Sequence, residues 1–333
     1  MKIASFALLC GLLLSCQKDA PVAEVPQGPV TDKLKAEAQE LRGLFTTELS
    51  QSFLEATNFL PEPSARTIMY NKAERKAYTL AQTATMNPHD LHGYEEEVLE
   101  PTFYYNTKYG TPLAFCRVVE ILGSHGIEKF DGKKIADFGF GSIGQLRLMA
   151  SLGAEAYGID VDEMLETLYS EPGDTGKIQG KGKSGSVELL IGQYPAEQAL
   201  VDRLGNGVDV FVSKNTLKNG YINPAEEVDP RLLIDLGVEN EAFLEHVHSA
   251  LRKDGLFLIY NLSPPQKKDR YIPWADGRSP FTKEQFEAAG FEVVVFDEND
   301  DQTARAMGKA LGWDASMNLN TDLFALYTLV RKR

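Results

Sequence analysis

The chain has 333 residues, 43% of them hydrophobic, and carries 48 Asp and Glu against 34 Lys and Arg, a formal charge of −14. The apolar content is that of an ordinary globular core, and the length suits one large domain with an extension. So negative a balance excludes a protein that grips a nucleic-acid backbone by charge, because phosphates are repelled.

The first predicted element is a leader. Lys2 gives a positive start, residues 3–14 are an apolar run too short to span a bilayer, and Leu13-Leu14-Ser15-Cys16 follows. This order resembles the signal peptide and lipobox of bacterial lipoproteins. The resemblance implies that residues 1–15 are removed and that Cys16 is lipidated. With Gln17 after the cysteine, it also implies a protein anchored to the outer membrane and facing the periplasm. Residues 16–30 are polar and proline-rich and read as a flexible tether. An ordinary signal peptide with a chance cysteine is the alternative, and a cytoplasmic protein is the reading if there is no signal. With Cys10 and Cys16 in the leader, Cys116 is the one thiol left, so no intrachain disulfide is expected. It lies among Phe115, Val118 and Leu122 and reads as a buried structural cysteine.

Residues 31–129 read as an N-terminal helical extension with a lid. Leu34, Leu41, Leu44, Phe45, Leu49 and Phe53 recur at helical spacing, which predicts a helix over 31–57 that Pro61 and Pro63 stop. A second helix is expected over 64–84, capped by Ser64. Glu95, Glu96 and Glu97 read as a solvated face. Tyr104, Tyr105 and Tyr109 crowd the segment 104–111, which is expected to close over a ligand, with packing against the sheet as the competing view. Thr111 and Pro112 begin a helix that ends near Gly123. The spacings of His89 with His92 and of His246 with His248 do not form a ligand set, so no metal is expected.

Residues 135–162 (IADFGFGSIGQLRLMASLGAEAYGIDVD) are the most informative part of the chain. An apolar strand reaches Asp137 and then Gly139, Gly141 and Gly144. A helix follows, and a second strand over 156–159 closes on Asp160. Glycines let backbone approach a ligand at a helix N-terminus, and a carboxylate ending the second strand can accept from ribose hydroxyls. Gly139, Gly141 and Gly144 match G-x-G-x-x-G, which leaves a nicotinamide dinucleotide open. Asp137 pulls the other way, since it would repel a pyrophosphate and attract a cation.

An acidic residue followed by this glycine turn resembles the first motif of class I S-adenosylmethionine-dependent methyltransferases. The likeness continues in order through 187–193 (VELLIGQ), 208–213 (VDVFVS), Lys214-Asn215-Thr216-Leu217, LRKDG followed by LFLIYNLS, 281–295 (FTKEQFEAAGFEVVV) and 324–330 (FALYTLV), covering residues 130–333. The resemblance implies an α/β fold, a Rossmann-like seven-stranded methyltransferase sheet whose last strand is antiparallel. The lysines between 177 and 183 are interleaved with glycine and read as a solvated loop.

The resemblance also implies S-adenosyl-L-methionine as cofactor. Asp160 would hold the ribose and Val161 would flank the adenine. Gln193 and Tyr194 would contact its ring or edge, while Asp137, Gly139, Phe140, Gly141 and Gly144 face the methionine part. Ser213 would close the fourth strand at the same edge. Lys214, Asn215 and Tyr221 are the expected catalytic or acceptor-side groups, with Lys218 nearby. The acceptor is a small molecule or a protein, and no nucleic acid is expected. Because the donor is made in the cytosol and the leader points outside it, two other readings stay open. One is a non-catalytic nucleoside-binding lipoprotein on this fold. The other is a nicotinamide-dependent oxidoreductase.

Overall fold

A computed structural model describes residues 29–107 and 110–333. Cys16, the leader and all of the tether but its last two residues lie outside the described residues, as does Tyr109.

Eleven strands are described. β1 (Arg66–Asn71), β2 (Lys76–Thr79) and β3 (Glu95–Leu99) form a small antiparallel sheet in the order β2-β1-β3. β4 (Lys134–Phe138), β5 (Glu155–Asp160), β6 (Gly176–Gln179), β7 (Ser184–Ile191), β8 (Val208–Lys214), β9 (Leu251–Ser263), β10 (Phe291–Asn299) and β11 (Phe324–Lys332) form the large one, in the order β10-β11-β9-β8-β4-β5-β7-β6. The five strands β9-β8-β4-β5-β7 are parallel, and β11 runs antiparallel between β9 and β10. The expected α/β sheet with a reversed last strand is therefore present, with eight strands rather than seven. The eighth is β6. The glycine-interleaved lysines form a hairpin edge, Lys177 opposite Ser186, which buries Ile178 and closes through Gly180 N–H to the Lys183 carbonyl.

Strand alternation sorts the apolar side chains onto two faces. Ile135, Val210, Val212, Leu256 and Leu258 belong to one core, with the helices Cys116–Ser124, Gly144–Ser151 and Asp301–Ala310. Ala136, Phe138, Phe211, Phe257 and Ile259 belong to the other, with Gln198–Leu204, Asn240–Ala250 and Lys283–Ala288. Both faces are covered, as parallel strands require.

The N-terminal extension departs from expectation in two places. The run 31–57 is broken into two helices, Val30–Leu41 and Glu48–Glu55. The break is held by Glu120, whose carboxylate accepts from Thr46 N–H, Thr47 N–H and the hydroxyls of Thr47 (2.7 Å) and Ser50 (2.6 Å). Leu34, Leu41, Phe45, Leu49 and Phe53 are buried, so the apolar spacing was real and only its continuity was not. The run 64–84 is not a helix: it is the β1–β2 hairpin followed by one short turn of helix, Leu80–Thr83. The Asn71 side chain accepts from Ala73 and Glu74 N–H, which makes the hairpin turn, and Thr79 rather than Ser64 caps the helix. The extension is thus mixed, not helical.

Cys116 is fully buried, and burial pushes its thiol well up. Thr111 caps a short 3-10 turn, Pro112–Phe115, that leads into the helix Cys116–Ser124. Among the described residues no helix is long and apolar enough to cross a membrane, and no cluster of side chains could hold a metal ion.

Candidate functional site

Strand order reverses at β4: β5 and β7 lie on one side, β8 and β9 on the other. In open α/β sheets ligands sit at the carboxyl ends of the strands at such a point. Register brings the charged residues there. Asp137 pairs with Gly158 in β5 and Val212 in β8, so Asp160 and Lys214 each stand two residues beyond its partners, at the same edge.

Asp137 is 1% exposed, and its Oδ2 accepts from Gln145 Nε2 at 3.0 Å. The same amide group donates to the Phe140 carbonyl at 2.7 Å, tying the glycine turn to the first turn of the following helix. Burial pushes the Asp137 carboxyl up to about 7, against the lowering effect of the Gln145 bond and of Lys214. Asp160 accepts from Val161 N–H (2.8 Å), Asp162 N–H (3.2 Å) and Gly141 N–H (3.2 Å). Burial and the neighbouring Asp162 nevertheless raise it to about 6. Lys214 is brought down to about 8 by loss of water, which Asp137 partly offsets. Three ionisable groups at one edge therefore titrate within reach of neutrality, which is common at functional sites.

The glycines have concrete jobs. Gly139 has φ +78°, donates to the Ile159 carbonyl at 2.7 Å, and would place a Cβ 1.9 Å from Thr216 Oγ1. Gly141 has φ +60°, and a Cβ there would meet Thr107 Cγ2 at 3.4 Å. Gly144 packs against Pro112 and the Tyr105 carbonyl. Thr216 and Thr107 thus press on the turn from two sides. Neither carried a sequence signal; Gln145, the amide that holds Asp137, could have been found as the one polar residue of its helix that the strand end would meet.

Several expected contacts take other roles. Tyr104 and Tyr105 are buried at 4% and 0% exposure. Tyr104 donates to Asp174 at 2.7 Å and packs edge-on against Tyr105 and Tyr169; Tyr105 donates to the Pro61 carbonyl. These contacts are those of the packing view. The backbone of the segment does cover the turn. Ser142 Oγ donates to the Tyr105 carbonyl, Tyr169 donates to the Tyr104 carbonyl, and Ile143 N–H donates to Tyr169.

Phe140 contributes its carbonyl, but its ring is 3% exposed and abuts Gly158. Tyr194 lies in the second core against Phe211 and is 2% exposed. Gln193 is engaged with Glu197 and the Asp235 carbonyl. Ser213 is fully buried, and its Oγ accepts from Leu217 N–H. Asn215, at φ +67°, accepts from Leu262 N–H and braces the loop onto β9. Tyr221 is buried beside Lys218, whose Nζ lies 5.6 Å from the ring centre and donates to the carbonyls of Leu262 and Trp274. Of the three expected catalytic residues, Lys214 stands at the edge with the carboxylates.

Asp160 keeps lone pairs for ribose hydroxyls beyond the three backbone bonds it accepts, and Val161 is half-buried beside it. Asp137 offers negative charge to a cation. These residues fit a nucleoside.

No family model matches the chain, and no curated protein does. Solved structures do match. The [4+2]-cyclase SpnF is 14% identical, over 69% of this chain and 85% of that one, with a TM-score of 0.39. The phosphoethanolamine N-methyltransferase 2 of Haemonchus contortus, solved with phosphomonomethylethanolamine and S-adenosylhomocysteine, is 13% identical over 86% and 74%, with a TM-score of 0.38. An S-adenosylmethionine-dependent methyltransferase of Mesorhizobium loti is 15% identical over 66% and 98%, with a TM-score of 0.39. Likeness at this level says nothing about activity, which has to be read from the site itself.

Proposed function

We propose that the chain is an S-adenosylmethionine-dependent methyltransferase acting on a small molecule or a protein. The carrying observation is the meeting of Asp137, the Gly139–Gly141 turn, Asp160 and Lys214 at the point where strand order reverses. Asp160 would hold the ribose, Val161 would flank the adenine, and Asp137 with the turn would face the charged methionine end. When bound, the cofactor supplies an electrophilic methyl group on a sulfonium, so the protein mainly has to align an acceptor and exclude water. Lys214, lowered to about 8, has a neutral fraction near pH 7 that can take an acceptor's proton. The test is incubation with methyl-labelled S-adenosylmethionine and fractionated cell extract. Label transfer that Asp160→Ala abolishes supports the reading; no transfer from any fraction overturns it.

The non-catalytic nucleoside-binding alternative has one observation in its favour. Asn215, Ser213 and Tyr221, expected on the acceptor side, are engaged in the fold. The oxidoreductase alternative rests on glycine spacing alone, and Asp137 opposes a pyrophosphate. We also propose that Cys16 is lipidated and anchors the protein to the outer membrane on its periplasmic side, supported by the sequence around it.

A further inference from the structure

Three buried polar atoms have no partner in this part of the chain: Asn261 Oδ1 and Ser263 Oγ at the carboxyl end of β9, and Trp274 Nε1 in the segment after it. Asn261 is 1% exposed and Ser263 6%. Such groups are costly, and each calls for an explanation. Asn261 and Ser263 are two apart on one strand, so they face the same way. A Cβ on Gly277 would lie 2.3 Å from Ser263 Oγ and 3.5 Å from Asn261 Cβ, so both residues adjoin the same loop backbone. The backbone of Trp274 lies beside the same strand end, since Lys218 Nζ donates to the Trp274 carbonyl at 3.1 Å and to the Leu262 carbonyl at 2.6 Å.

The place is joined to the candidate site by one short loop. Thr216 touches Gly139, and the next residue's carbonyl, that of Leu217, accepts from Asn261 Nδ2 at 2.8 Å. The run 264–271, which follows β9 directly, has no helix or strand and is exposed over 265–270.

We propose that Asn261, Ser263 and Trp274 form a subsite for the methyl acceptor, and that the acceptor presents a neutral hydroxyl or carboxamide there. This rests on the methyltransferase reading. Asn261 Nδ2 donates to two carbonyls, those of Leu217 and Gly277, so the amide cannot turn over and its oxygen is the side left open. A ligand must therefore bring a donor for Asn261 Oδ1 and an acceptor for Trp274 N–H. A hydroxyl or carboxamide brings both. A carboxylate has no donor, and an ammonium has no acceptor and would meet the Lys218 charge. The hydroxyl of Ser263 can serve either partner.

The test is saturation-transfer NMR on the full chain with four probes of one size, benzyl alcohol, benzamide, benzoate and benzylamine, with and without S-adenosylhomocysteine. The two neutral probes should bind about tenfold more tightly than the two ions, the ratio for one hydrogen bond. Ser263→Ala loses no bond of the fold, so it should keep the melting temperature while weakening both neutral probes. Trp274→Phe should do the same for benzamide. Equal binding of all four probes, no binding by any, or an unchanged ranking in both variants would overturn the subsite. A crystal structure with only an ordered water at Asn261 Oδ1 in saturating benzamide would do so too. Nucleoside binding is read separately by calorimetry. Its absence with the probe ranking intact would sink the methyltransferase reading and keep the subsite.

Discussion

At the level of single residues, Asp137 makes the sharpest demand. Its carboxyl titrates near 7 in the fold against an ordinary value of 3.8. The folded chain thus keeps a proton there that the unfolded chain gives up, so stability falls as pH rises from about 4 to about 7. The rise from 3.8 to about 7 bounds this effect at about 4 kcal/mol. Asp160, raised to about 6, adds a smaller effect of the same sign that ends earlier. Asp137→Asn keeps an oxygen for Gln145 and removes the titration. Urea unfolding at pH 5 and pH 7.5 should show a fall in the wild type and a much flatter profile in the variant; equal slopes would contradict the burial argument. Asp160→Ala should weaken S-adenosylhomocysteine by about 1.5–3 kcal/mol, the range for hydrogen bonds to a charged group. Unchanged affinity would end its ribose role. Asp137 and Asp160 could be read from the chain because strand ends and glycines mark them. Thr216 and Thr107 could not, because only the folded loops bring them to the turn.

At the level of elements, the glycine turn and the loop after β8 act as one piece. Gly139→Ala sets a methyl group into Thr216 and strains a positive φ, which together cost about 2–4 kcal/mol. Adding Thr216→Gly should recover the steric part and leave about 1–2 kcal/mol of backbone strain. Denaturation of the single and double variants checks this, and no recovery would mean that the turn is held by something else. Tyr104→Phe should cost about 1–3 kcal/mol, because Asp174 loses a donor in the cluster with Arg66 and Arg147. It should leave S-adenosylhomocysteine affinity unchanged, and a marked loss of affinity would revive the lid role. The same cluster explains what the sequence left hidden. The residues of 64–84 carry apolar spacing that suits helix or strand. The choice is made by Asn71, which turns the chain, and by Arg66 and Ala77, which fasten β1 and β2 to Asp174 and Thr167. The break in 31–57 is hidden for a similar reason, since Glu120, which holds it, lies over sixty residues away.

At the level of the whole molecule, alternating apolar strands and helices made the parallel sheet legible from 135 onward, and the two-faced core follows from that alternation. The small sheet β1–β3 and the β6 edge were not legible, because each depends on a partner distant in sequence or on a glycine-rich turn that looks like open loop. The anchor proposed at Cys16 predicts that the wild type takes up labelled palmitate and fractionates with membranes, whereas Cys16→Ser takes up none; an unlabelled wild type would refute it. The central claim is the nucleoside site, and calorimetric titration of the purified chain with S-adenosylhomocysteine and with NAD tests it most directly. The account predicts saturable binding of S-adenosylhomocysteine, weakened in Asp160→Ala, and none of NAD. Binding of NAD alone, or of neither, would contradict it.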